Sequence, residues 1–279
     1  MSAYDIDGIV IANIANKETV YNQFSEGFFL WQGRNTTTGT NYSIMRIFQK
    51  KADGSMQFPF VYAPNGVNRS NYSTLSMNIA KGFPFAINAG VFDMSTFKPM
   101  GTLIQNGILL QQGDDTLPTW NKENQMVLTI DNNGLLGYAA YNSNGNTLIS
   151  NGIVSAVHSF CPIVIDYEDA KETISVPYLD NDADAMRQVF GHFGNGDYCV
   201  VTAEGRHNAS SVGFTVPQLT SLCLSLGLRF AFNLDGGGST ETVLRKKQIN
   251  TIYEAPYGRE VPNFIVFNGT TQFKESMNE

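Results

Sequence analysis

Apolar residues fall into short runs separated by Gly, Asn and Asp, and few of the runs carry the 3.6-residue period of a helix. Residues 42–48 read as a strand, 51–55 as a hairpin-type turn, and 57–62 as the return strand. Residues 85–90 form a strand running into a glycine turn. Residues 103–110 close around Asn106-Gly107, the pair that suits a two-residue hairpin turn. Residues 126–130 and 135–140 repeat that arrangement around Asp131-Asn132-Asn133-Gly134. The continuous apolar runs 162–166 and 198–202 suit strands buried on both faces. One helix stands out. Thr215 is its N-cap, Pro217 lies in its first turn, and Gln218 completes a Thr-x-x-Gln capping box. Leu219, Leu222, Cys223 and Leu226 form its apolar face, and Gly227 ends it. A strand follows at 229–234. The pattern predicts a β-rich α+β fold with mixed or antiparallel sheets and few helices. It divides into an N-terminal segment 1–40 of uncertain role and a single domain over 41–279.

Composition narrows the function classes. The 279 residues carry a net charge of −7, and only 15% are charged, against about 25% in ordinary globular chains. A pI near 5.0 excludes a duplex nucleic-acid scaffold, which needs clustered Lys and Arg. A small anionic substrate is compatible, because only local charge matters there. The first eight residues have neither a basic n-region nor an apolar h-region, so a cytoplasmic protein is expected. No apolar run is long enough to span a membrane. Cys161, Cys199 and Cys223 are too widely spaced for a metal knuckle and read as reduced, buried thiols. Asp180, Asp182 and Asp184 imitate a calcium loop. Ala185 stands where that loop needs Gly, and Gly191 where it needs Glu, so they read as a solvated loop. No metal and no cofactor is called for.

The segment Asn233 to Thr240 concentrates the chemistry. An apolar strand ends on Asp235, then Gly236, Gly237 and Gly238, then Ser239 and Thr240. Three glycines permit close approach of backbone to ligand, and their N–H groups suit an anion-binding nest. The Gly-Lys-Ser/Thr ending of a phosphate-binding P-loop is absent, as is a Gly-x-Ser-x-Gly elbow.

Phe232-Asn233-Leu234-Asp235-Gly236-Gly237-Gly238-Ser239-Thr240 resembles the signature of the phosphodiester glycosidase family. Other landmarks resemble that family in order: Asn88-Ala89-Gly90-Val91-Phe92-Asp93, Pro99-Met100-Gly101 with Asn106-Gly107, and Arg187 five residues before His192. Glu204-Gly205-Arg206, Gly213-Phe214-Thr215, Asn250 and Gly258-Arg259-Glu260-Val261-Pro262-Asn263 complete the set over about residues 80–268. Glu204 stands where the family usually has Asp, and Glu260 where it usually has Pro. The resemblance implies hydrolysis of a sugar-1-phosphodiester. Such a reaction needs carboxylates at the anomeric carbon and cations or N–H groups at the departing phosphate. Asp235 and Glu204 are the expected catalytic carboxylates. Arg187, Arg206, Arg259, Ser239 and the amides of Gly236, Gly237 and Gly238 are the expected phosphate partners. Asn88 is expected to position a sugar hydroxyl, with His207 beside Arg206 at the substrate. Residues 186–259 hold seven Lys and Arg against five Asp and Glu, so the site lies in a mildly basic stretch of an acidic chain.

Two alternatives keep the same residues. A compact, Asn/Gly-rich chain with no leader fits a phage-encoded enzyme that degrades a nucleotide-sugar or ADP-ribose-like signalling nucleotide in the host cytoplasm. A non-catalytic glycan-binding module of a virion or cell surface is the third reading. His158 reads as structural or cleft-facing, His192 as structural, and Lys246-Lys247 as a hairpin tip. Trp31 and Trp120 suit either packing or stacking on sugars.

Overall fold

The computed structural model describes residues 27–51, 53–113, 117–205, 210–253 and 258–267 in full, and only the backbone of residues 5–6, 9–10, 21–23 and 268–269. Three antiparallel sheets dominate it. The largest has eight strands in the order Glu168–Asp169, Pro162–Ile165, Phe230–Asn233, Arg187–His192, Tyr198–Ala203, Thr40–Ile47, Phe28–Asn35 and Tyr21–Gln23. A second has the order Lys247–Gln248, Thr242–Leu244, Phe85–Asn88, Phe264–Gly269 and Gln57–Tyr62. The third has the order Leu136–Ala140, Met126–Asp131, Ile153–Ser159, Leu103–Gln105 and Ile108–Gln111. Every ladder among the described strands that make up these three sheets is antiparallel. The α-helices among the described residues are Thr74–Lys81, Thr119–Asn124, Gly145–Ser150 and Val216–Ser225. This is a β-rich α+β fold, and none of its helices is long and apolar enough to cross a membrane.

One apolar core joins the three sheets. Phe190 and Phe232 from the first, Phe85 and Phe267 from the second, and Leu128 and Val157 from the third are buried in a single cluster. The opposite face of the eight-stranded sheet packs Val189, Val201 and Ala231 against Leu219 and Cys223 of the Val216–Ser225 helix. Burying both faces explains why its central strands read as continuous apolar runs. All three cysteines are buried and free.

Local turn chemistry follows the sequence closely. Asn106 and Gly107 both take positive φ, at 51° and 72°, as a type I′ turn requires. Thr215 accepts from Gln218 N and the reciprocal bond also forms. The expected Lys246-Lys247 tip lies one residue earlier: Arg245 and Lys246 join Thr242–Leu244 to Lys247–Gln248, because Lys247 pairs with Leu244. Asp182 and Asp184 are exposed, and Asp180 pairs with Lys171. One pairing differs from expectation. The 51–55 turn closes a Lys50–Met56 bridge, but Gln57–Tyr62 pairs with Phe264–Gly269 in another sheet. Both edges of Thr40–Ile47 are already occupied, by Phe28–Asn35 and Tyr198–Ala203. Residue 40 begins the second strand of a hairpin whose first strand is Phe28–Asn35. Residues 28–35 therefore share a sheet with the strands that carry the site.

Candidate active site

Antiparallel pairing brings three chain segments to one end of the eight-stranded sheet. Arg187 opens its strand opposite Ala203, and Glu204 follows directly. The Phe230–Asn233 strand pairs with the other edge of Arg187–His192 and runs on into Asp235. Glu204 and Asp235 thus continue strands that lie one apart from neighbours, about 10 Å across the sheet. From the second sheet, Ala89 O accepts from Asp235 N at 3.1 Å. Asn88 binds this junction with both halves of its amide. Its Nδ2 donates to Asp235 O at 2.7 Å, and its Oδ1 accepts from Glu241 N at 3.1 Å. Asn88 was expected to hold a sugar hydroxyl. Both amide groups are spent on backbone instead, which makes it the clamp that fixes the Asp235–Glu241 turn.

Asp235 is half-buried, with Oδ1 accepting from Gly236 N at 3.0 Å. Burial pushes its carboxyl up to about 6, opposed by hydrogen bonds from Ser239 and Gly236 and by the charge of Arg259. The glycines require a correction. Gly236 N is committed to Asp235, and Gly237 N donates to Met186 O at 2.9 Å. Three convergent amides therefore do not form. Gly238 serves by having no side chain: a Cβ there would lie 2.5 Å from Arg259 Nη2 and 2.7 Å from Tyr253 Cδ1. Its absence lets the Arg259 guanidinium lie on the turn, flanked by the Tyr253 ring at 5.5 Å and Met94 Sδ at 4.0 Å.

Arg187 was expected at the phosphate. It is buried, with Nε donating to Phe214 O at 3.0 Å, Nη2 to Ala183 O at 2.8 Å, and Nη1 to the Tyr178 hydroxyl. Those bonds make it a scaffold for Tyr178, whose oxygen also accepts from Asn233 Nδ2 at 3.2 Å. Glu204 is half-buried; its Oε1 accepts from Thr251 N at 2.7 Å, and its Oε2 lies 3.5 Å from Asn41 Nδ2. Arg206 and His207 lie outside the described residues. His192 stacks on Phe230 and contacts Phe193 O, so its role is structural. His158 is fully buried against Gln125 Oε1 at 2.9 Å, and burial pushes its pKa down to about 4. No group of three or more His, Cys, Asp or Glu is placed to hold a metal among the described residues.

Other segments from the sequence pattern act as staples. Asn263 Oδ1 accepts from Gly90 N at 2.7 Å. Asn250 accepts from Thr242 N and donates to Thr240 O. Glu241 is a residue that sequence reasoning missed. It is buried, receives Thr74 N at 2.9 Å, and leaves Oε1 with no hydrogen-bond partner among the described residues. Burial pushes its carboxyl up to about 7 against the bonds from Leu75 and Thr74. Gly258, next to Arg259, has φ +84°, and a Cβ there would lie 2.7 Å from Glu241 Oε2. Glu241 therefore joins the helix Thr74–Lys81 to the loop carrying Arg259. In sequence it is one polar residue in the run Thr240-Glu241-Thr242, and no local pattern distinguishes it.

A cleft of about 770 Å³ opens alongside, between the 92–101 loop and residues 111–121. Asp235 is not among its walls. Met94 lines it and also touches Arg259, so the cleft leads up to the cation.

With this geometry in view, the comparisons are specific. The family model for phosphodiester glycosidases matches residues 81–268. The chain belongs to the phosphodiester glycosidase family, a family of hydrolases. It is 28% identical over 233 residues to the SPbeta prophage-derived protein YomE of Bacillus subtilis (strain 168), covering 78% of this chain and 35% of that protein. It thus spans about a third of that relative's length. Its fold matches the catalytic domain of zebrafish N-acetylglucosamine-1-phosphodiester alpha-N-acetylglucosaminidase, auto-inhibited by its pro-peptide, with TM-score 0.67 and 16% identity. That match covers 91% of this chain and 85% of the other. A protein from Synechocystis matches with TM-score 0.62 and 16% identity, over 91% of this chain and 64% of that one.

Proposed function

We propose that this protein hydrolyses the glycosidic C–O bond of a sugar-1-phosphodiester. The observation that carries the reading is the Asp235 carboxyl at a strand end with the Arg259 guanidinium laid over Gly238 beside it. In this reaction the anomeric carbon gains positive character as the bond to the phosphate oxygen breaks. Water supplies the new C–O bond, one of its protons is lost, and the phosphate departs as a monoester. A phosphate is a weakly basic leaving group, so a fixed cation serves it better than a strong acid does. Arg259, laid over Gly238, takes that role in this reading. Carboxylates serve the carbon. A carboxyl titrating near 6 is mostly ionised at neutral pH, as a nucleophile, base or cation-stabilising group must be. Glu204, at the same end of the sheet, supplies the second carboxylate. Arg187 and Asn88 hold the frame.

The test is release of free sugar from N-acetylglucosamine-1-phosphate methyl ester. Asp235→Asn and Glu204→Gln are each expected to lower turnover about 10²–10⁴-fold, the usual worth of acid–base groups. Wild-type rates in both variants would remove these assignments.

A second reading keeps the site and makes the substrate a nucleotide-sugar or related signalling nucleotide. The prophage-derived relative supports the phage-encoded part of that reading. Release of a nucleoside phosphate from a nucleotide panel, read by mass spectrometry, separates the two.

A further inference from the structure

The chain has two tryptophans, and their surroundings are opposite. Trp31 is 2% exposed in the core, whereas Trp120 is 51% exposed. Trp120 stands on the helix Thr119–Asn124 and meets Phe160 and Tyr178 only by edge contacts, at 6.2 and 6.5 Å with both interplanar angles at 89°. Phe160 and Tyr178 stack on each other at 4.3 Å. The far end of Tyr178 is its hydroxyl, held by Arg187 and Asn233, and Asn233 lies two residues before Asp235. A series of aromatic contacts, buried at its Tyr178 end, therefore runs from the surface to the strand that leads into Asp235. Trp120's chain neighbours Pro118 and Asn121 line the 770 Å³ cleft, as do Met94 and the exposed Lys98. Of the exposed large hydrophobics, Met94 and Tyr253 lie against Arg259, and Trp120 stands beside the Pro118 and Asn121 edge of the cleft without lining it.

Isolated exposed apolar side chains are ordinary on a protein surface. An exposed indole beside a cleft that Lys98 lines, in contact through Tyr178 with the strand that leads to Asp235, is a stacking platform. We propose that Trp120 is a substrate-binding residue that stacks a second ring of the substrate, beyond the phosphate and away from the bond broken at Asp235. The inference rests on the hydrolase reading for the position of that bond. The ligand chemistry is a ring with a flat, apolar face. A pyranose and a nucleobase both offer one.

Acrylamide quenching reads the platform directly, because the quencher reaches Trp120 and not buried Trp31. The full chain carrying Asp235→Asn is titrated with three probes: N-acetylglucosamine-1-phosphate methyl ester with one ring, the phosphodiester in which O6 of glucose replaces the methyl ester oxygen, with two sugars, and UDP-N-acetylglucosamine with sugar and base. The expected result is protection of Trp120 by at least one of the two larger probes and not by the methyl ester. Trp120→Ala is expected to weaken that larger probe about tenfold while leaving the methyl ester within about twofold, with Trp120→Phe partly restoring binding. Which larger probe protects identifies the ring. No protection by either, or equal weakening of all three probes by Trp120→Ala, overturns the platform. Protection without product in the wild-type chain keeps the platform and removes the hydrolase reading. Turnover lost in Asp235→Asn but indifferent to Trp120 does the reverse.

Discussion

The turn from Asp235 to Thr242 and the wall of the adjoining cleft lie side by side and use their groups in opposite ways. Along the turn, Asn88 and Asn250 bind backbone at both ends, Gly237 N is tied to Met186, and Asp235 is bonded to its own successor. At the cleft, Met94 and Lys98 are exposed, and so is Trp120 beside its Pro118 and Asn121 edge. The first arrangement holds a carboxylate where its charge is disfavoured and so pre-organises it. The second leaves surface for a ligand to cover. Under the proposed function, chemistry sits on a stiff sheet end and selectivity on exposed loops, which can vary without moving the carboxylate.

The largest effect should follow from the stiff region's charge. Asp235→Asn should cost about 10²–10⁴-fold in turnover without lowering the melting temperature, because it removes a carboxyl that burial disfavours. A matching fall in melting temperature would mean that the carboxylate is structural.

Next comes the clamp. Asn88→Ala strands Glu241 N and Asp235 O inside the protein and should lower unfolding free energy by about 2–4 kcal/mol, read by urea denaturation. An unchanged midpoint would show that the turn does not need its clamp.

Gly238→Ala sharpens the contrast, because the colliding atoms belong to the Arg259 and Tyr253 side chains. Stability should change by under about 1 kcal/mol, while KM rises about tenfold as Arg259 is displaced. Loss of stability with KM intact would place the strain in the backbone.

The smallest effect is a slope. The Glu241 carboxyl titrates near 7 when folded, above its ordinary 4.5. The folded state therefore holds its proton more tightly, and its contribution to stability is full below about 4.5 and lost as pH rises towards 7. Glu241→Gln should remove up to about 1.4 kcal/mol per pH unit of decline across that window. Asp235, titrating near 6, slopes the same way, and His158, titrating near 4, slopes the opposite way. The difference between variant and wild type cancels both. A difference that is flat with pH would deny Glu241 its buried proton.

Local rules and pattern made much of this legible. The capping box at Thr215, the Asn106-Gly107 turn and the Lys246 tip are set by residues within four positions of one another. The Asp235-Gly236-Gly237-Gly238 segment was recognisable because a carboxylate and three glycines follow an apolar strand. Long-range partners were not legible. Gln57–Tyr62 joins another sheet because both neighbours of Thr40–Ile47 are strands distant from residues 51–55 in pairing logic. Arg187 reads as a free cation until Tyr178, Phe214 and Ala183 close on it. Glu241 acquires its raised carboxyl from burial, and its hydrogen-bond partner Thr74 lies 167 positions away.

The central claim is that the bond to the anomeric carbon breaks, with phosphate as the leaving group. Hydrolysis of a sugar-1-phosphodiester in ¹⁸O-labelled water, with both products analysed by mass spectrometry, tests it in one run. The account predicts ¹⁸O in the anomeric hydroxyl of the released sugar and an unlabelled phosphate. Label in the phosphate, with the sugar oxygen unlabelled, would contradict it.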